Sequence, residues 1–322
     1  MTGARAPRGR ARPRIVSLLP SATEIVYALG LGDDLVGVSH ECDWPAEVRA
    51  KPVITRPTRR IQGRTSRQVH HAVRRALHSG SSLYGLDERA LAKTRPDLIL
   101  TQELCEVCAV GYRQVSEVAR SLGTSPTVVS LEPSSLEGIF NTIATVGAMT
   151  ETENRAVKLV GQLRRRLGIL ERKVQRRRDA GFVGPRVVAL EWLDPPFTVG
   201  HWVPEQVRRA GGWDLLGQEG ERSVETSWRA IREVDPEMIL LMPCGVGINE
   251  AVADYERIRV RLPQYWKKVT AVRRGQVFAV DGSAYFSRPG PRVVDGIAML
   301  CEIFDPDAFV DTSPVGAWTP IF

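Results

Sequence analysis

Residues 102–110 read QELCEVCAV, which places Cys105 and Cys108 three positions apart directly after strand-like residues. That spacing suits half of a zinc site, a redox couple, or two small residues beside a pocket. Structural zinc takes four such ligands. A direct metal site would therefore have to join Cys105 and Cys108 to Cys42, Cys244, His40 or His201, because the chain has no second Cys-x-x-Cys. A redox dithiol belongs at a helix N-terminus, where the thiolate is stabilised, and a helix is expected to start near these residues.

Other residues able to do chemistry fall in short loops. SHECDWP offers His40, Glu41, Cys42, Asp43 and Trp44; EWLDPPFTVGHW offers Glu191, Trp192, Phe197, His201 and Trp202. PCGVG holds Cys244, and DGSAYFSRPGPR holds Tyr285, Phe286 and Arg288. Gln102 precedes the cysteine pair, and Pro20, Ser21 and Thr23 open a helix whose free amides suit a polar or anionic group. Taken singly, each has a plain structural role: a loop histidine bonded to backbone, a tryptophan closing a core, a buried cysteine acting as a small hydrophobe.

The elements expected around these loops share one arrangement. Arg14–Leu19 is a short buried strand, and Ser21-x-x-Glu24 has the form of a capping box. Ile25, Ala28 and Leu29 give a helical stripe ended by Gly30, and Asp34–Ser39 forms the next strand. Strand, helix and strand at this spacing make a parallel βαβ unit. ERALAKTRPDLILTQ then gives a helix stopping before Pro96 and the strand Asp97–Thr101. The same phrase recurs 140 residues later as WRAIREVDPEMILLMP, with Pro236 and the strand Met238–Leu241. PRVVALEW likewise resembles PRIVSLLP, and a further strand is expected at Gln276–Val280.

Between the halves, residues 151–178 contain no proline and space Val157, Val160, Leu163, Leu167, Leu170 and Val174 by three or four, the pattern of one helix of about 25 residues. The expected fold is α/β: two Rossmann-like lobes with parallel sheets joined by one long helix. The expected divisions are a disordered basic tail over 1–13, an N-terminal lobe over 14–135, a connector over 136–183 and a C-terminal lobe over 184–322. In such sheets ligands bind beyond the carboxyl ends of the strands, where the loops above all lie. The 140-residue offset sets the loop of Cys105 and Cys108 opposite that of Cys244, across one cleft lined by aromatic side chains.

Composition narrows the classes. The net charge of +7 is concentrated in five arginines before residue 15 and eight basic residues against one acid over 164–178, leaving the remainder mildly acidic. There is no nucleic-acid recognition motif and no apolar run long enough to span a bilayer. Ile15 to Leu19 is too short for the apolar region of a secretory signal, and the odd count of five cysteines fits a reducing compartment. The expected location is cytoplasmic, or periplasmic or extracellular if a leader precedes this sequence.

LLPSATEIVYALGLGDDLVGVSHECDWP, TRPDLILTQELCEVCAV and EWLDPPFTVGHWVPEQVRRAGG resemble cobalamin-binding proteins of the helical-backbone class of periplasmic binding proteins, over roughly residues 14–300. That class includes the cobalamin and ferric-siderophore receptors of ABC importers. The resemblance implies ligand held between two lobes joined by a long helix, with little hinge motion. Importer-coupled members carry a docking acid on each lobe. Asp87 or Glu88 suits the first, but the second offers Arg229 with only Glu225 nearby, which argues for a relative working without an importer.

Three functions compete. The first is a non-catalytic binding protein for cobalamin or another large metal-containing cofactor. There the aromatics would pack on the macrocycle, the Pro20–Thr23 helix start and Arg288 would hold polar side groups, and His40, His201 or a thiolate would approach the metal. The second is a direct metal-binding or thiol redox protein using Cys105 and Cys108 with Cys244. The third is an enzyme, for which no Gly-x-Gly-x-x-Gly, phosphate loop or nucleophile elbow is present.

Overall fold

A computed structural model of the chain describes residues 12–57, 65–78, 84–102 and 112–321. The N-terminal lobe comprises β1 (Ile15–Ser17), α1 (Pro20–Ala28), β2 (Leu35–Val38), β3 (Thr55–Pro57), α2 (Ser66–His78), β4 (Tyr84–Leu86), α3 (Glu88–Thr94), β5 (Leu98–Thr101), α4 (Tyr112–Ser121) and β6 (Thr127–Ser130). Helices α5 (Leu136–Met149) and α6 (Glu153–Asp179) lead to the C-terminal lobe. That lobe opens with β7 (Arg186–Leu193), β8 (Pro196–Thr198), α7 (Val203–Arg209), β9 (Trp213–Asp214), α8 (Trp228–Val234) and β10 (Met238–Leu241). It closes with α9 (Ile248–Arg259), α10 (Thr270–Arg273), β11 (Val277–Val280), α11 (Gly282–Tyr285), α12 (Val293–Phe304) and β12 (Trp318–Pro320).

The N-terminal sheet runs β2-β1-β5-β6, every pair parallel. In the C-terminal lobe β9 and β10 flank β7 in parallel, β11 follows β10, and β8 and β12 add antiparallel pairings. The 140-residue repeat is structural. Asp87 caps α3 by accepting from the Ala90 amide, and Ser227 caps α8 by accepting from the Ala230 amide. Both helices end on a left-handed residue, Arg95 at φ 43° and Asp235 at φ 42°. A proline follows each, because the helix cannot continue through it. The acid after that proline then accepts from the amide that starts the neighbouring strand, Asp97 from Arg14 and Glu237 from Arg186.

Strand alternation divides the core. Val16, Leu18 and Ile99 face one outer cluster, and Val188, Ile239 and Leu241 face another. The opposite faces, with Ile15, Leu98, Leu100, Val187, Ala189 and Leu240, join a single inner cluster that also takes in α1, α5, α6 and α12. Because both lobes bury apolar surface in that shared layer, separating them would return it to water. The lobes are therefore fused rather than hinged.

Helix α6, 27 residues and roughly 40 Å long at 1.5 Å per residue, braces this layer. It buries Ala156, Val160, Leu163, Leu167 and Val174, while Val157, expected in the stripe, is 73% exposed. The adjacent Ala156 takes the inward place by packing against Gly147, where an added Cβ would lie 2.5 Å from it. At one end Arg155 donates to the Leu29 carbonyl; further along, Arg166 and Arg177 pair with Asp295 and Asp305. Part of the basic cluster over 164–178 thus ties the connector to the C-terminal lobe. Among the described residues no helix is long and apolar enough to cross a membrane.

The expected Ser21–Glu24 capping box is not formed. Helix α1 starts at Pro20 after Leu19, with no side-chain cap. A proline needs no partner for its missing N–H and is preset for the first helical turn, so Ser21 falls inside the helix and Glu24 is released for other partners. The paired left-handed caps yield opposite expectations. Arg95→Gly should raise stability by a few tenths to about 1 kcal/mol by relieving the backbone. Asp235→Gly should lower it by about 1–3 kcal/mol, because the Asp235 carboxylate accepts from both the amide and the hydroxyl of Thr270. Urea unfolding of the two variants distinguishes these signs.

Candidate functional site

The carboxyl ends of β1, β2 and β5 carry a buried layer of polar side chains: Ser17, Thr23, Ser39, Thr55, Thr101 and Gln102. Thr23 donates to Ser17 Oγ at 2.8 Å, and its hydroxyl lies 3.1 Å from the Cys42 sulfur. Burial pushes the Cys42 thiol up to about 11, although the Thr23 hydrogen bond opposes it. Cys42 is therefore a neutral packing group rather than a nucleophile. The start of α1 is no open anion site either. Gly290 of the other lobe sits against it, close enough that an added Cβ would lie 3.5 Å from the Ser21 carbonyl oxygen.

What occupies that junction is an ion-pair clasp between the lobes. Arg292 forks onto Glu24, with Nε to Oε2 at 3.0 Å and Nη2 to Oε1 at 2.5 Å. Arg288, also buried, reaches Glu24 at 3.5 Å, Asp43 at 2.5 Å, the Glu41 carbonyl and Ser283. Its full set of protein partners replaces the expected role of holding a ligand's side groups. Burial holds the Glu24 carboxyl above its usual range despite both arginines. Burial would also raise Asp43, but the hydrogen bond and charge of Arg288 bring it below the usual range. The Arg292 guanidinium lies between the rings of Trp44 and Tyr285, 5.2 and 5.4 Å from their centroids. Trp44 nevertheless remains 52% exposed. A groove of about 580 Å³ follows this seam, lined by Glu24, Tyr27, Trp44, Glu47 and Arg292. It runs along α1 toward Gly32, away from the strand ends.

A second bridge crosses between the lobes through α2, an element that sequence patterning left unassigned. Arg67 forks onto Asp194 at 3.1–3.2 Å, Ser66 bonds Asp254, and the His70 ring lies 5.6 Å from that of Phe197. Polar contacts of this kind hold a helix end across a cleft without adding to the shared apolar core.

On the C-terminal side, Trp202 and Phe286 are core residues, 5% and 1% exposed, with Trp202 Nε1 donating to the Phe286 carbonyl at 2.9 Å. They are not the ligand surfaces expected of them, because α7 and α11 turn both rings inward. Glu191 stands near the carboxyl end of β7, beside Cys244, whose amide donates to the Glu191 carbonyl at 3.0 Å. Burial pushes the Glu191 carboxyl up to about 7, only partly offset by a hydrogen bond to Ser223. Trp192 Nε1, His201 Nδ1 and His40 Nε2 are buried atoms with no hydrogen-bond partner among the described residues. His201 also holds a left-handed backbone at φ 53°, a conformation uncommon outside glycine that histidine adopts more readily than most side chains. Burial, and then the charge of Arg222, lower its affinity for a proton.

Cys105 and Cys108 lie outside the described residues. Among those described, no group of three or more His, Cys, Asp or Glu is arranged to hold a metal ion. His40, His201 and Cys244 are not gathered into a chelate. Sequence reasoning missed Glu24, Arg292, Arg67, His70 and Ser223. No local signal marked this set: Arg288 and Arg292 lie in the loop before α12, on either side of Pro289 and Pro291, and their partners Glu24 and Asp43 come from the other lobe.

The chain matches a family model described as periplasmic binding protein over residues 15–284. An uncharacterized ABC transporter substrate-binding lipoprotein, YvrC of Bacillus subtilis (strain 168), is 24% identical over 92% of this chain and 81% of its own length. A vitamin B12-binding protein of Vibrio cholerae is 23% identical over 89% of this chain and 87% of its own. Among solved structures, the periplasmic vitamin B12 binding protein BtuF of Vibrio cholerae superposes with a TM-score of 0.64 at 21% identity, covering 92% of this chain and 97% of its own. The periplasmic heme-binding protein RhuT from Roseiflexus sp. RS-1 superposes with a TM-score of 0.68 at 21% identity, covering 92% and 100%. These structural likenesses establish the two-lobed fold.

Glu24→Ala leaves two arginines beside an empty buried site and should cost about 3–5 kcal/mol in chemical denaturation. Trp44→Ala, which removes only a partly exposed ring from Arg292, should cost about 1 kcal/mol or less. Glu191 sets a pH window. Its folded carboxyl binds a proton up to about pH 7, against 4.5 in its ordinary state. Its stabilising contribution is therefore full below pH 4.5 and lost as pH rises to 7. The stability difference between wild type and Glu191→Gln should change by up to about 3 kcal/mol across that window and stay constant above it, as read from denaturation midpoints at stepped pH.

Proposed function

This chain belongs to the periplasmic binding protein family, and from that premise we propose that it binds a corrinoid of the vitamin B12 kind in the cleft between its lobes, without catalysis. The observation that carries the reading is the mismatch between charged and neutral polar groups around the strand ends. The arginines of the clasp are consumed by Glu24 and Asp43, and Arg67 by Asp194. Among the described residues, the buried polar atoms left without a hydrogen bond at the strand ends are those of an indole and two imidazoles: Trp192 Nε1, His201 Nδ1 and His40 Nε2. The Glu191 carboxyl, near neutral pH a donor as well as an acceptor, adds to them.

A corrinoid is fringed with amides, each carrying a donor and an acceptor, and such a rim complements neutral partners. Haem and many ferric siderophores present carboxylates or other anionic groups, which call for free cations. The relatives named for vitamin B12 support the corrinoid reading, while neighbours named for heme keep the porphyrin as the competing outcome. Half-buried Trp192 and Phe197 supply flat apolar surface for the macrocycle.

Partner docking follows the same reasoning. The N-terminal lobe exposes Asp87 and Glu88, whereas the equivalent positions of the C-terminal lobe are Ser227 and Trp228, with Arg229 beside them and Glu225 the exposed acid nearby. This asymmetry supports a carrier, store or sensor acting without an importer.

Incubation with cyanocobalamin followed by desalting should leave ligand bound and quench tryptophan emission. Trp192→Ala should weaken binding about tenfold, the cost of about 1.4 kcal/mol of lost stacking and hydrogen bonding. Retention of hemin or a ferric siderophore with free passage of every corrinoid would sink the reading.

A further inference from the structure

His40 is held differently from the other histidines. Its backbone amide donates to Thr55 Oγ1 at 3.0 Å, and its ring Nδ1 lies 2.6 Å from the same oxygen. Thr55 donates its hydroxyl proton to Ser39 Oγ at 3.1 Å, and Ser39 Oγ also accepts from the Glu41 amide. A threonine hydroxyl has one proton to give. With that proton directed to Ser39, Thr55 Oγ1 accepts from the ring, so Nδ1 carries the hydrogen and Nε2 carries the lone pair.

Nε2 is shielded from solvent and has no hydrogen-bond partner among the described residues. Glu41 Oε1 lies 3.1 Å from it, at ion-pair distance but without a hydrogen bond. The Glu41 side chain is 39% exposed, that of His40 only 17%, and the Tyr84 ring sits 5.1 Å from the imidazole. The imidazole is therefore fixed while its cover is free to turn outward. An imidazole oriented through its other ring nitrogen, with an unused lone pair, is prepared for metal ligation. The adjacent carboxylate favours a cationic metal centre. His201, the other unpartnered ring, faces the charge of Arg222, which opposes one.

We propose that His40 Nε2 is the protein's ligand to the metal of the bound cargo, with Thr55 and Ser39 setting the tautomer and Glu41 serving as a displaceable cover. This rests on the reading of the cargo as a metal-bearing macrocycle. The step is a ligand exchange. Nε2 donates its electron pair to the metal, the metal–water bond breaks, the water leaves with its own pair, and neither oxidation state nor proton count changes.

The test uses reduced cobinamide, a corrinoid without its own nitrogen base, so that any axial nitrogen comes from the protein. With unlabelled protein its paramagnetic resonance spectrum should show triplet splitting from one axial nitrogen, and with [15N]histidine-labelled protein a doublet. His40→Ala should lose the splitting, and His201→Ala should keep it. Thr55→Val should weaken binding of aquacobinamide about tenfold, the effect of removing a hydrogen bond that orients a metal ligand. The isotope comparison needs no substitution, so a variant that fails to fold leaves the test intact. Retention of cobinamide without histidine-dependent splitting overturns the assignment and leaves the corrinoid reading standing. Failure to retain any corrinoid overturns both.

Discussion

The buried carboxylate of Glu24, held by Arg292 and Arg288 from the opposite lobe, is the constraint on which the rest of the arrangement depends. An uncompensated charge there would cost several kcal/mol, so the two lobes keep the registry that brings all three groups together. The same registry sets Gly290 over the start of α1, places Trp44 and Tyr285 around Arg292, and aligns the strand ends. Ionic pairing contributes specificity of position, while the shared apolar layer through α6 contributes most of the cohesion. On the proposed reading, a ligand bound between the lobes would therefore carry little cost of lobe closure.

The repeated halves show how one local grammar served two surroundings. Capped helix, left-handed residue, proline and buried strand recur at Asp87–Thr101 and Ser227–Leu241 with the same hydrogen bonds. Divergence lies beyond the strands. The N-terminal side supplies hydroxyls and a pinned imidazole, and the C-terminal side supplies a neutralised carboxyl and an indole. On the proposed reading, a ligand between them would meet two chemically different walls.

Much of the fold was legible from short-range pattern. Period-two burial in continuous apolar runs marked the parallel strands, and the spacing of Val160, Leu163, Leu167 and Val174 marked α6. Local signals failed where a residue's partner was distant. Glu24 had the form of a cap residue, and only Arg292, 268 positions away, shows why it is elsewhere. Trp202 and Phe286 looked like exposed ligand surfaces because aromatics beside turns often are. Whether a ring points inward depends on how α7 and α11 pack, which no window of neighbours encodes. Helix α2 escaped notice because its apolar residues, though they share one face, are few and small among arginines and histidines.

By itself, then, the sequence determined the duplicated α/β plan, the long brace between the halves, and the position of the unusual side chains at strand ends, since propensity, capping and periodicity act over a few residues. Tertiary structure alone decided which of those side chains are spent on one another and which are left over. Arg288 and Asp43 were drawn into the clasp, Cys42 into packing, and His40 was left with an unused lone pair. The physical reason is that desolvation and hydrogen-bond saturation depend on every group that surrounds an atom, and those groups come from segments far apart in the chain.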